Sequence, residues 1–174
     1  MKAIHFCWLL AVLSATPRGQ AKLDWQSFSP SDGAFTVQVP AKPTEFKKTM
    51  QSPQGEVQVT VYESAVPGSD GKFILSVSQY PEGTLKAGTE DKHLDNARDG
   101  AVASVKGKLK REKSLLLDSY PGRELTIEIE GKSPIILRMY AVKDRLYQLA
   151  AVGPQELVTS QDAAKFFDSF KVKK

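Results

Sequence analysis

Arg123 stands between two acids, with Asp118 shortly before it and Glu124 directly after it. Carboxylates beside a guanidinium are material for acid-base or hydrolytic chemistry, and a preorganised arginine can also clamp a carboxylate or a phosphate. A plainer role is equally available. Arg123 follows the turn-like Tyr120-Pro121-Gly122 and shares its parity with Leu125, Ile127 and Ile129. An arginine at the end of a sheet can bury its stem and keep its guanidinium wet against backbone carbonyls or an acid. Arg138 is the second candidate for ligand or partner contact, as the one charge in the apolar run Ile135 to Val142. A five-residue loop would set it opposite Glu128, where an opposite-charge pair contributes about 0.2–1 kcal/mol.

Other chemistry is excluded by what the chain lacks. It has one cysteine, Cys7, and two histidines, His5 and His93. Cys7 and His5 fall in an apolar leader, so the chain beyond residue 21 has no thiol nucleophile and no zinc site built on several Cys and His ligands. His93 lies in the polar run "GTEDKHLDNARDG", which reads as the solvated start of a helix. No G-x-S-x-G elbow, phosphate-binding loop or dinucleotide fingerprint occurs. Ser69-Asp70-Gly71-Lys72 matches S-x-x-K, but Ser-Asp-Gly before a strand is turn chemistry, whereas the catalytic version starts a helix. The residues predict no catalytic set, no metal and no cofactor.

Residues 1–21 read as a signal peptide. Lys2 gives a positive start, Ile4 to Ala15 is apolar but too short to span a bilayer, and Gly19-Gln20-Ala21 offers small residues for cleavage. Cys7 lies too early in that run to be a lipid-bearing cysteine. Removing 21 of 174 residues leaves 153, the size of one domain, and takes Lys2 and Arg18 with it. The net charge falls from +4 to +2, with 22 basic residues against 20 acidic ones. The expectation is an exported chain, periplasmic or extracellular, without a lipid anchor. With no disulfide it is held by its core alone, which is feasible where roughly 70% of the unfolded chain's surface can be buried.

The elements that must position these residues alternate in a regular way. Trp25 to Ser29 is a short alternation; Phe35, Val37 and Val39 alternate and stop at Pro40; residues 44–51 form a polar edge strand. Val57, Val59 and Val61 make a half-buried strand, and Phe73, Leu75 and Val77 another. From Thr89 to Lys106 the period becomes helical, with Leu94, Ala97, Ala101 and Val105 on one face and Gly107 placed to end the helix. Gly100 inside it costs about 1 kcal/mol relative to alanine, explained by close packing of helix on sheet. The basic segment Lys106 to Lys113 lacks interleaved aromatics and reads as a charged, aggregation-resistant strand, not as a nucleic-acid site. An anionic membrane surface remains a second use for it.

After Tyr120-Pro121-Gly122 come three strands in an antiparallel meander, the middle one apolar on both faces and therefore central. The chain closes with a helix capped by Thr159 or Ser160, in which Ala163, Phe166, Phe167 and Phe170 recur at helical spacing as core. The expected class is α+β: a central antiparallel sheet of about six or more strands with helices packed on both sides.

The stretches "LDNARDGAV", "YPGREL", "RMYAVKDRLYQLAAVG" and "KFFDSFKV", with Phe35-Thr36-Val37-Gln38-Val39-Pro40 as F-x-V-x-x-P, resemble small exported bacterial proteins of the PsbP-like fold group. That group is named for an extrinsic subunit of the photosynthetic oxygen-evolving complex and includes a eukaryotic nuclear-transport factor. The resemblance covers nearly all of residues 22–174 and implies one domain, a sheet flanked by helices, and a binding or assembly factor for a protein partner or membrane-associated complex. No metal-ligand set or partner motif carries over. An enzyme using carboxylates near Arg123 is the alternative.

Overall fold

The computed structural model describes residues 23–52, 55–85 and 88–173. The leader expected over residues 1–21 lies outside the described residues. In chain order the elements are β1 (Gln26–Phe28), β2 (Phe35–Val39), β3 (Thr44–Ser52), β4 (Gly55–Ala65), β5 (Lys72–Gln79), α1 (Glu90–Ser104), β6 (Lys108–Leu117), β7 (Tyr120–Glu128), β8 (Ile135–Val142), β9 (Arg145–Val152), α2 (Gln155–Val158), α3 (Gln161–Asp168) and β10 (Lys171–Val172).

Seven strands form one antiparallel sheet in the order β3-β4-β5-β9-β8-β7-β6. Two meanders, β3-β4-β5 and β6-β7-β8-β9, join where β5 pairs with β9. The chain leaves β5 in mid-sheet and must reach β6 at the edge. Its connection, α1, therefore crosses β8 and β7 and packs on both. The polar segment expected at an edge, β3, is one edge of the sheet and the basic β6 is the other, where lysines oppose pairing with another chain. β1 and β10 pair instead with the two sides of β2, making a separate three-stranded sheet.

Apolar residues collect in two clusters that take alternate residues of β8 and β9. Tyr140, Tyr147 and Leu149 pack with Phe35, Phe73 and the α3 phenylalanines. Leu137, Met139, Ala141 and Leu146 pack with Leu94 of α1 and with Leu125 and Ile127 of β7. The parity expected for β7 is the parity observed. Ser160, one of the two expected caps, starts α3 by accepting the Ala163 N–H at 3.1 Å.

Three local expectations fail for physical reasons. The tight turn before Arg123 is Asp118-Ser119, because Leu117 pairs with Tyr120 and the sequence Tyr120-Pro121-Gly122 is already strand. Gly100 does not sit against the sheet: a Cβ there would meet nothing within 4 Å. Gly107 is not the left-handed residue that ends α1; Lys106 is, at φ 51°. Lys106 N–H donates to Ala103 and Gly107 N–H to Val102, the paired bonds of a Schellman end. Gly107 is glycine because a Cβ would lie 2.5 Å from Ile127 and 2.8 Å from the Glu128 carbonyl. A side chain in the left-handed region costs about 1–2 kcal/mol. Lys106→Gly should therefore stabilise by about 1 kcal/mol and raise Tm by about 2–4 °C in calorimetry; a lowered Tm would contradict this account of the helix end.

Candidate functional site

The two arginines singled out by sequence are both engaged internally. The Arg123 guanidinium donates to Asp95 of α1 and to Glu112 of β6, the latter at 2.6 Å, and to the carbonyl and carboxylate of Asp91 at 3.3 Å. Asp91 and Asp95 are four apart and so share one helix flank. Arg98, one turn on, donates to the same Asp95 and Glu112 and to Asp99. Burial works against the charged Arg123, yet hydrogen bonds to Glu112, Asp95 and Asp91 outweigh it and hold its pKa above the ordinary value. With its side chain only 13% exposed, Arg123 is a strap that ties α1 to β6 and β7. An external anion at this guanidinium would meet three carboxylates.

Arg138 makes the matching strap to α3. It donates to Glu124 and to Asp168, each at 2.6 Å, and its guanidinium lies 5.0 Å from the Phe167 ring. The partner is not Glu128. The turn is centred on Gly131, two residues earlier than a pairing of Arg138 with Glu128 requires, so the register moves by four and sets Arg138 opposite Glu124. An even shift keeps every side chain on its face, which is why the parity was right and the partner wrong. Desolvation disfavours the Arg138 charge, and the bonds to Asp168 and Glu124 more than restore it.

The carboxylates proposed for acid-base work are not brought together. Arg123 shares a face with Leu125, Glu124 projects from the other to Arg138, and Asp118 occupies the β6–β7 turn. Ser69 accepts the Gly71 N–H inside its turn, and Lys72 pairs with Glu63 at 2.7 Å. Among the described residues no group of three or more His, Cys, Asp and Glu side chains could hold a metal ion.

The concave site lies elsewhere. Because α1 is strapped to β6 and β7 on one flank, its other flank overhangs the uncovered middle of the sheet. A groove of about 780 Å³ opens there, within the range of ligand sites. Its wall is the small-residue flank of α1, namely Ala97, Gly100, Ala101 and Ser104. Its floor is set by strand register. Phe46, Val61, Ser76, Gln148 and Met139 form one row across the sheet, and Lys48, Val59, Ser78 and Leu146 form the next. The row of Ile74, Ala150 and Leu137 is apolar over β5, β9 and β8 but meets Glu63 on β4, and Val152 lies beside Lys72, which is paired with that glutamate. Tyr80 and His93 close the polar end, their rings 6.5 Å apart, and burial pushes the Tyr80 phenol up. His93 was expected in solvent; it is half-buried on the groove wall.

A second depression, of about 610 Å³, is bordered by Asp32, Glu45, Lys47 and Arg145, and by Lys48 at the strand edge that it shares with the groove. The first four already pair with one another, Lys47 with Glu45 at 2.8 Å and Arg145 with Asp32 at 3.4 Å. The groove under α1 was missed from the sequence. Its signal is the serines at 76 and 78, alternating with Leu75 and Val77 in a strand that proves central. A strand covered on both faces would be apolar at those positions.

No protein-family model matches the chain, and no curated protein matches it either. Among solved structures it is similar to the solution structure of cyanobacterial PsbP (CyanoP) from Synechocystis sp. PCC 6803, with TM-score 0.58 and 12% identity over 92% of this chain and 99% of that one. The fold is PsbP-like. A second similarity, to the apo structure of immunity protein TplEi of T6SS from Pseudomonas aeruginosa, has TM-score 0.39 at 17% identity and covers 70% of this chain and 46% of that one. The groove combines half-buried valines and isoleucines with Ser76, Ser78 and Gln148 on its floor, and no helix of the described residues is long and apolar enough to cross a membrane.

Proposed function

We propose that this chain is an exported, non-enzymatic accessory domain of the cell envelope, and that it binds a partner of a membrane-associated complex through the groove under α1. The reading includes an α/β/α layering, α1 over one sheet face and α2 with α3 over the other. The alternate use of β8 and β9 side chains by the two apolar clusters supports it. Export rests on the apolar leader at residues 1–21. The observation that carries the binding role is the groove itself. Val59, Val61 and Ile74 stay only half-buried while Tyr62, Phe73 and Leu75 on the opposite face of the same strands are buried, and apolar area left open in a concavity favours an occupant.

Site-specific photo-crosslinking in intact cells tests this. A benzophenone side chain at Met50 or Ser104, on the groove rim, should capture an envelope component, while the same group at Lys113 on the β6 edge should not. Equal capture from both places, or none from the groove, would sink the proposal. The exported form should begin at Lys22, give or take a few residues, by mass spectrometry; retention of Met1 would remove the envelope from it.

A further inference from the structure

Polarity in the groove is graded along the strands. At one end stand an ammonium, hydroxyls, an amide and an imidazole, from Lys48, Ser78, Tyr80, Asn96 and His93. At the other the floor is Val152, Ile135 and Ile127, with Val105 above, and the paired Glu63 and Lys72 stand at its β4 side. Among the described residues lining the groove none is acidic, in a chain with 20 Asp and Glu. Lys48 makes no ion pair among the described residues, whereas its neighbour Lys47 is held by Glu45. One uncompensated ammonium at the mouth of an acid-free apolar trough is complementary to one negative charge on an apolar body.

Length narrows the class. Six residues of β9, Leu146 to Val152, separate the row that carries Lys48 from the apolar end. At the rise of a strand that is about 20 Å, the reach of an extended alkyl chain on the order of fifteen carbons. We infer that the groove takes a single-chain amphiphile with an anionic head, a long-chain carboxylate, its head at Lys48 and its tail running under α1 toward Val152. This rests on the groove being the binding site and adds the ligand's chemistry. Beyond the tail the groove continues into a depression of about 520 Å³ rimmed by Lys106 and Lys132, which leaves longer chains an exit.

Calorimetric titration of the purified protein with alkyl carboxylates below their micelle concentrations is the test. Affinity should rise about fourfold per added methylene, the equivalent of about 0.8 kcal/mol, from octanoate to tetradecanoate, and level off at longer chains. Dodecyltrimethylammonium should bind at least tenfold more weakly than dodecanoate. Lys48→Glu should weaken dodecanoate by about tenfold, leave its methyl ester unchanged, and be rescued by Lys48→Arg. Gly100→Glu, where the new side chain enters open space on the groove wall, should fold at least as well as the parent and also weaken dodecanoate; Gly100→Gln should not. Flat chain-length dependence, equal binding of the cationic amphiphile, or indifference to both Lys48→Glu and Gly100→Glu would overturn the inference. Groove crosslinks to an envelope protein without dodecanoate binding would overturn it too, leaving the accessory role in place; neither crosslink nor amphiphile would remove both.

Discussion

Phe170→Ala is expected to leave the protein unfolded or degraded. The ring is 3% exposed, stacks on Tyr140 at 5.9 Å, and touches Phe35 at 5.8 Å and Tyr147 at 5.3 Å. It thus joins β2 of the small sheet to β8 and β9 of the large one, at the point where the chain passes from α3 to β10. Neighbouring Phe166 stacks on Phe73 at 4.7 Å, so the same aromatic layer extends to β5. Truncating a buried phenylalanine costs about 3–5 kcal/mol, in lost transfer energy and the cavity left behind. A domain has about 5–15 kcal/mol in total, and no disulfide makes up the loss here. Urea denaturation followed by far-UV circular dichroism checks it. Arg123→Ala is the contrast. It leaves Asp91, Asp95 and Glu112 facing each other, but Asp91 is 86% exposed and water screens it. That variant should fold and lose about 1–2 kcal/mol. A Phe170→Ala protein that folds normally and fails only to capture its crosslinked partner would make the aromatic face an interface and not core.

What the sequence made legible was whatever depends on period alone. The helical repeat of Leu94, Ala97, Ala101 and Val105 places the α1 seam, and the alternation of Arg123, Leu125 and Ile127 assigns a face of β7. A polar edge announces itself by composition, as β3 does. Register does not follow from period, because any even shift preserves the pattern; Glu128 and Glu124 are equivalent partners for Arg138 until the turn is known. Distant partners are further out of reach. Asp168 reaches Arg138 from thirty residues away, and Asp95 reaches Arg123 from twenty-eight. The groove is a property of how far α1 lies from the middle of the sheet, so its valines read the same whether they face a core or an opening. Gly100 is equally ambiguous, since a helical glycine reads the same whether it packs closely or stands beside open space, and only the structure shows that a Cβ there meets nothing within 4 Å.

Gly122→Val is expected to cost about 3 kcal/mol or more, and Gly122→Ala a smaller part of the same penalty. Gly122 lies directly opposite Tyr140 in the β7–β8 ladder, and a Cβ there would come within 2.3 Å of the Tyr140 ring and 2.6 Å of the Met139 carbonyl. Here the tyrosine ring folds over a glycine that has no side chain of its own, an arrangement in which an aromatic compensates for glycine in a strand. The carbonyl is fixed by the sheet, so the strain must go into the ring. That ring is 5% exposed and stacked on Phe170, so moving it disturbs the layer that joins the two sheets. The two substitutions therefore couple. Tyr140→Ala alone should destabilise, since it opens a cavity beside Phe170 and uncovers Gly122. In the Tyr140→Ala background, Gly122→Ala no longer meets the ring and should cost at least 1 kcal/mol less than it does alone, a coupling that a double-mutant cycle in urea resolves. Strict additivity would locate the whole penalty at the Met139 carbonyl, and the ring over Gly122 would then have no part in fixing the strand.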